Sequence, residues 1–371
     1  MAVLTEEQTM LRDAAKDWAR ESSPVSALRK LRDAHEGKSF DPAKWAEMGQ
    51  MGWAGVIIPE EFGGSNFGYQ SMALILEETG RTLTASPLVS TALAGATALM
   101  LGGSDAQHQE WLPKIAAGEV VTALAVDEGG HHHPEKTALK AEGGKLTGKK
   151  TFVIDGEEAD LLVVAARSSG QPGETAGISL YLVRGDAAGV TKKHLWLVDS
   201  RGAAEIEFDG AQGELLGEEG KGWDVLEATL DRARIGLAAE MLGLASEAFD
   251  ITLEYLKTRT QFGQVIGTFQ ALQHRAAKMF TDIETTRSCI EMALEMLDQG
   301  APDVKLLASI AKARASDLVH VVSNEMVQMH GGIGMTDAHD AGLYLKRARV
   351  AEHLFGTASY HRDRYATLSG F

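Results

Sequence analysis

The chain has 371 residues, 44% of them hydrophobic and 24% charged, an ordinary globular composition in a length that one core rarely fills. Its 52 acidic and 36 basic residues leave a formal charge of -16 with no basic run, which argues against a nucleic-acid or membrane-surface partner. A single cysteine, Cys289, rules out an internal disulfide and a Cys-based metal cluster, and its helical setting predicts a core position.

The opening segment, MAVLTEEQTMLRDAAKDWAR, carries acids early and has no continuous apolar stretch, so it does not read as a signal peptide. No run approaches the ~18 apolar residues of a membrane span, and a cytoplasmic protein is expected. Thr5-Glu6-Glu7-Gln8 reads as a helix N-cap with acids in the first turn. Leu11, Ala14, Ala15 and Trp18 then recur at helical spacing. A second helix is predicted over 42–51, a glycine-rich loop over 59–65, and further helices over 68–82, 88–101 and 105–117.

The period changes near residue 120. Thr122, Leu124 and Val126 alternate with their neighbours, and the runs 161–164, 178–183 and 204–208 are short and β-rich. Gly143-Gly144 and Asp209-Gly210 punctuate them. After Gly222 the 3.6 period returns in Leu226, Leu230, Ala233, Leu237, Met241 and Leu244, and again in Phe280, Ile283, Ile290, Leu294 and Leu297. A third long helix is predicted over 302–329, with Pro302 in its first turn, and a fourth over 337–352. The fold class is therefore α+β. It comprises an N-terminal helical domain (1–119), a central β-barrel-like domain (120–213) and a C-terminal four-helix bundle (214–371).

Two local patterns are set aside. His131-His132-His133 sits in a loop, where neighbouring side chains diverge, so no metal site is expected. In Glu219-Gly220-Lys221-Gly222-Trp223 the lysine is followed by glycine rather than Ser or Thr, which excludes a phosphate loop.

Three C-terminal motifs are more specific. Thr258-Arg259-Thr260-Gln261-Phe262-Gly263 is followed by Phe269-Gln270-Ala271; Gln328-Met329-His330-Gly331-Gly332-Ile333-Gly334 and Phe355-Gly356-Thr357 come later. Arg259 offers a planar fork that matches phosphate oxygens. Gly331 and Gly332 allow close backbone approach. With the helix–sheet–helix order, these motifs resemble the acyl-CoA dehydrogenase family over essentially the whole chain.

The resemblance implies an FAD-dependent α,β-dehydrogenation of an acyl-CoA thioester, in fatty acid or steroid side-chain catabolism. An electron-transfer flavoprotein would accept the electrons. In the family the arginine segment of one subunit and the glycine segment of another share one FAD. A homodimer or tetramer is thus implied, or a heterotetramer with a paralogue. The cofactor-binding positions implied are Val126, Asp127, Phe152, Ile154, Arg259, Phe262, Gln270, Gln328, Gly331, Gly332 and Thr357. Arg234, with Asp231 one turn before it, matches the arginine kept beside the substrate; the bland alternative is a surface arginine paired with Asp231 or Asp224.

The pattern fails where the family carries its proton acceptor. The glutamate usually found just before Gly-Thr is Phe355, and the alternative position on the first bundle helix is Ala233. Glu240 and Glu352 remain as weak candidates for a base. A non-catalytic, FAD-binding partner subunit is the alternative reading. The flavin-side loop also departs: Val126-Asp127-Glu128-Gly129-Gly130-His131-His132-His133 stands where a Thr-Glu-Pro-x-Ala-Gly-Ser-Asp-like run is usual. Phe152-Val153-Ile154-Asp155 stands for Trp-Ile-Thr-Asn, so Ile154 offers only its backbone.

Overall fold

The computed structural model describes residues 4–371. Six helices lead: α1 (Glu6–Ser22), α2 (Val25–Ala34), α3 (Pro42–Gln50), α4 (Gly68–Arg81), α5 (Ala96–Gly102) and α6 (Asp105–Ala116), with a π-helical stretch, Leu88–Gly95, running into α5. Eight strands follow: β1 (Thr122–Ala125), β2 (Lys140–Glu142), β3 (Lys145–Ile154), β4 (Leu161–Arg167), β5 (Ile178–Arg184), β6 (Val190–Trp196), β7 (Gly202–Gln212) and β8 (Glu214–Leu216). Then come α7 (Trp223–Thr258), the small hairpin β9 (Thr260–Gln261) and β10 (Gln264–Val265), α8 (Gln270–Asp298), α9 (Val304–His330), α10 (Ala341–His353) and α11 (Ala358–Leu368). The expected order of helices, sheet and helical bundle is the observed one.

Local chemistry explains the helix starts. Thr5 and Gln8 form a reciprocal capping box on α1, and Ser104 and Gln107 do the same on α6, each satisfying two otherwise orphaned amides. Asp41 accepts from the Ala43 amide at 2.9 Å, with Pro42 in the first turn of α3.

By contact density the chain divides into two compact units, residues 30–72 with 85–233, and residues 1–29, 73–84 and 234–371. The first is organised by the sheet, whose strands run β6-β7-β3-β2-β4-β5-β8, with β1 paired to β4. β1 and β2 lie parallel to β4, and the other pairings are antiparallel. β4 is buried along its whole length and β5 all but its last residue, which is why their sequences are continuous apolar runs. β6 alternates instead. Leu146, Leu162, Val164, Tyr181, Ile206 and Phe208 centre the core. Among the described residues the strand path ends at β6 and β8, which do not pair, so the sheet is barrel-like without closing into a barrel.

The second unit is helical. α4 and α7 approach closely at glycines: a Cβ on Gly243 would stand 1.9 Å from the Glu77 carbonyl oxygen, and one on Gly80 would stand 2.2 Å from that of Glu240. Arg287 pairs with Glu77 at 2.7 Å, Arg81 with Glu247 at 3.2 Å, and the Tyr344 hydroxyl donates to the Arg81 carbonyl at 2.6 Å.

Several details differ from expectation. α2 and α11 have no counterpart in the expected elements: both are short, and only Leu28 of α2 and His361 of α11 are buried; α2 nonetheless repeats Val25, Leu28 and Leu31 at helical spacing. α9 begins at Val304, so Pro302 precedes the helix, and α10 begins at Ala341. Cys289 is half-buried rather than core.

Candidate functional site

The sheet unit brings the two flavin-side segments together. The Thr151 amide donates to the Asp127 carbonyl at 2.8 Å, and Lys150 Nζ donates to the Val126 carbonyl at 2.8 Å. Lys150 is fully buried and pairs with Glu128 at 2.7 Å; burial pushes its pKa down while Glu128 opposes the shift. The Glu128 carboxylate also accepts from the amides of Ala138 and Leu139 at 3.0 and 2.9 Å. His132 turns inward, its Nδ1 3.0 Å from both oxygens of Asp127, while His133 faces Glu135. His132 and His133 thus take different carboxylates, and no group of three His, Cys, Asp or Glu side chains able to hold a metal ion occurs among the described residues.

Pairing of β3 with β7 breaks between Lys150 and Val153, and this bulge re-aims Phe152. Phe152 has a φ of 51° and is 48% exposed. Phe262 and Phe355 share the left-handed conformation, at 53° and 55°. All three phenylalanines stand at expected site positions, in a region that costs a bulky residue about 1–3 kcal/mol; Leu83 and Ser200 share that region elsewhere in the chain. Ile154 lies at the end of the same strand, half-buried.

In the helical unit, Arg234 is 1% exposed, so the surface alternative is corrected. Its Nε donates to the Phe355 carbonyl at 3.2 Å, and its guanidinium lies 5.7 Å over the Tyr360 ring. Asp231 and Ala233 are buried on the same helix, α7. Thr357 caps α11 by accepting from the Tyr360 amide at 3.2 Å. Both weak base candidates are committed elsewhere. Glu240 is 4% exposed and accepts from Arg347 at 2.8 and 3.0 Å. Glu352 accepts from Arg349 and lies 3.2 Å from His320 Nδ1. A carboxylate locked onto a guanidinium is a poor proton acceptor.

The segments expected to hold the cofactor are joined through Tyr255 and His330. The Tyr255 hydroxyl, one turn before Arg259, donates to the His330 carbonyl at 3.3 Å, and the two rings stand 4.3 Å apart. The Ile266 amide closes the β9–β10 hairpin on the Arg259 carbonyl at 2.9 Å. Arg259, Gln270, Gln328, Gly331 and Gly332 are all exposed, and Phe262 is 90% exposed. Gly331, at φ 63°, ends α9, and a Cβ on it or on Gly332 would meet nothing within 4 Å. Open backbone at Gly331 and Gly332, and an exposed cation and aromatic ring at Arg259 and Phe262, are each suited to part of a dinucleotide.

Sequence reasoning missed Lys150, Glu128 and Lys312. Lys312 is buried on α9, and its Nζ lies 3.0 Å from Ser316 Oγ, 3.0 Å from the Gly356 carbonyl and 3.3 Å from that of Glu352. Ala311-Lys312-Ala313-Arg314 gives no sign of this: lysine in a helix normally reads as a solvated face.

Comparison with known proteins agrees with this architecture. Residues 5–119 match the family description "Acyl-CoA dehydrogenase, N-terminal domain" and residues 220–368 match "Acyl-CoA dehydrogenase, C-terminal domain". An acyl-CoA dehydrogenase of Bacillus subtilis is 30% identical, covering 97% of each chain. A chain in the electron transferring flavoprotein structure of Acidaminococcus fermentans superposes with a TM-score of 0.92 at 31% identity, covering 100% of this chain and 99% of that one. A chain in a structure of the Tcur3481-Tcur3483 steroid acyl-CoA dehydrogenase, a single-residue variant, gives 0.89 at 31% identity, covering 98% of each. The α+β fold with a sheet between helical segments defines a flavoprotein-type oxidoreductase scaffold. The chain belongs to the acyl-CoA dehydrogenase family.

Proposed function

We propose that this chain is an FAD-dependent acyl-CoA dehydrogenase that removes two hydrogens from the alpha and beta carbons of an acyl-CoA thioester. The observation that carries the reading is the pairing of Val126 and Asp127 with the Phe152 bulge through Thr151 and Lys150. That arrangement leaves the Phe152 ring exposed near the end of β3. The flavin, when bound, accepts the beta hydride. Arg259 supplies the cation for its phosphates, and Gly331 and Gly332 supply close backbone. Arg234, held on the Phe355 carbonyl, is the substrate-side arginine, and Thr357 and Gln270 complete the cofactor set.

Neither Ala233 nor Phe355 accepts a proton, and Glu240 and Glu352 are held by arginines. The chain would therefore supply the hydride-accepting half of the reaction, and the alpha proton would pass to a group other than these four, either solvent water or an acid of a second subunit. The exposed apolar side chains beside the cofactor motifs, Phe262 at 90%, Met335 at 78% and Ile333 at 45%, support an oligomer in which another subunit covers them. The likeness to a chain of the steroid dehydrogenase pair supports a bulky acyl group. The likeness to a chain of the electron transferring flavoprotein structure supports such a flavoprotein as acceptor.

Anaerobic mixing of the purified flavoprotein with a panel of acyl-CoAs tests the reading. Bleaching of the flavin absorbance by at least one member is expected. A protein that holds FAD and stays oxidised with every straight-chain, branched and steroid-side-chain thioester contradicts it.

A further inference from the structure

α10 ends at His353, and the chain turns sharply through Phe355 and Gly356, at φ 55° and 108°, before Thr357 opens α11. Such an end leaves a cluster of carbonyls without helical partners. Here they are collected by three side chains from three helices. Arg234 of α7 donates to the Phe355 carbonyl at 3.2 Å, and His361 Nε2 of α11 lies 3.0 Å from the same oxygen. Lys312 of α9 takes the Glu352 and Gly356 carbonyls at 3.3 and 3.0 Å.

Lys312 is 0% exposed, and among the described residues no carboxylate lies within hydrogen-bonding distance of its amine. A lysine buried this way without an ion-pair partner is costly, and its three oxygen partners explain how it is kept. Two are carbonyls, which only accept, and the third is the Ser316 hydroxyl, which both donates and accepts. An ammonium gives all three bonds. A neutral amine gives two and accepts the third from Ser316. Both protonation states therefore fit the same cage.

We propose that Lys312 is a positioning residue for the Phe355–Gly356 turn, the segment where the family's proton acceptor usually stands, and that the order of this turn is governed by its buried amine. Burial, and then the neighbouring Arg234 charge, push the Lys312 pKa down to about 7, with Glu352 opposing. His361 and Tyr360 face the same turn from α11.

The sign of the pH effect follows from the lowered value. Any opening that solvates the amine restores its ordinary pKa of 10.5, so opening takes up a proton at pH values between 7 and 10.5. The closed turn gains on the open one as pH rises through that window, by nearly tenfold per unit, and the gain is lost as pH falls through 7.

Amide hydrogen exchange of residues 353–357, followed from pH 6 to 9 and corrected for intrinsic exchange, tests this whatever acyl group the enzyme takes. In the wild type, protection should climb about tenfold per unit above pH 7. In Lys312→Met the same amides should exchange roughly tenfold faster at pH 8, the equivalent of one lost hydrogen-bonded group, with a flat pH profile. Strands β4 and β5 should be unchanged. Lys312→Gln, which keeps a donor without a titrating charge, should recover part of the protection and none of the slope. Flat protection in the wild type overturns the proposal, and so does a slope that survives in Lys312→Met, which would then come from another group. If Lys312→Met does not fold, the wild-type and Lys312→Gln profiles decide the matter alone.

Discussion

Single side chains set the chemistry, and the most consequential is a phenylalanine. Phe355 holds a left-handed backbone at the turn where the family's acid usually stands. A positioned base contributes about 10²–10⁴-fold to proton abstraction. Phe355→Glu is expected to raise the rate of straight-chain acyl-CoA oxidation by ~10-fold or more, read as kcat with the flavin content held equal; an unchanged rate would mean that the turn does not face the substrate. Glu240, seven residues after Ala233, looks like a relocated acid in the sequence. Its partner Arg347 lies more than a hundred positions away, and no local pattern announces the pair. Both members are nearly buried, so Arg347→Leu should leave a stranded carboxylate and cost about 3–5 kcal/mol in denaturant unfolding. A loss near zero would show that the pair is not buried as described. Arg234 was singled out only by resemblance, with a surface arginine as the alternative, and the structure shows it buried. Lys312 was not legible, because its meaning lies in carbonyls that α10 brings back to it from some forty residues on.

Elements were legible where the chain writes its own boundaries. The capping boxes of α1 and α6 are local sequences with local bonds, and the apolar runs of β4 and β5 are the direct mark of burial on both faces. The open sheet was less legible, because closure depends on whether β6 meets β8, a pairing that no strand specifies by itself. The contact between α4 and α7 was invisible for a similar reason. Gly80 and Gly243 read as unremarkable helical glycines, yet each lies against a carbonyl of the other helix. Gly243→Ala puts a methyl where the Glu77 oxygen already stands, so the helices must part. A destabilisation of about 1–3 kcal/mol is expected from such overpacking, measured by urea unfolding, whereas Gly342→Ala, where a Cβ meets nothing within 4 Å, should be neutral or better. Equal effects at the two positions would contradict the close crossing.

At the scale of the whole molecule, an acidic chain carries exposed cationic and apolar groups in the two segments proposed to hold the cofactor. Arg259, Phe262, Ile333 and Met335 are all in water in the single chain, which is consistent with a site that a second subunit completes. Arg259→Ala should therefore lower the flavin-to-protein ratio at least severalfold, as expected for the loss of a charge-assisted phosphate contact, while leaving the thermal midpoint of the flavin-free protein within a degree or two. A loss of folding in step with flavin would assign Arg259 a structural role instead. The most direct test of the central claim is steady-state turnover of an acyl-CoA with an artificial electron acceptor, the product being identified by mass. The expected product is the 2-enoyl thioester, lighter by two hydrogens, formed in proportion to bound FAD. Acceptor reduction without loss of two hydrogens from any thioester offered would contradict the assignment of this chain as an acyl-CoA dehydrogenase.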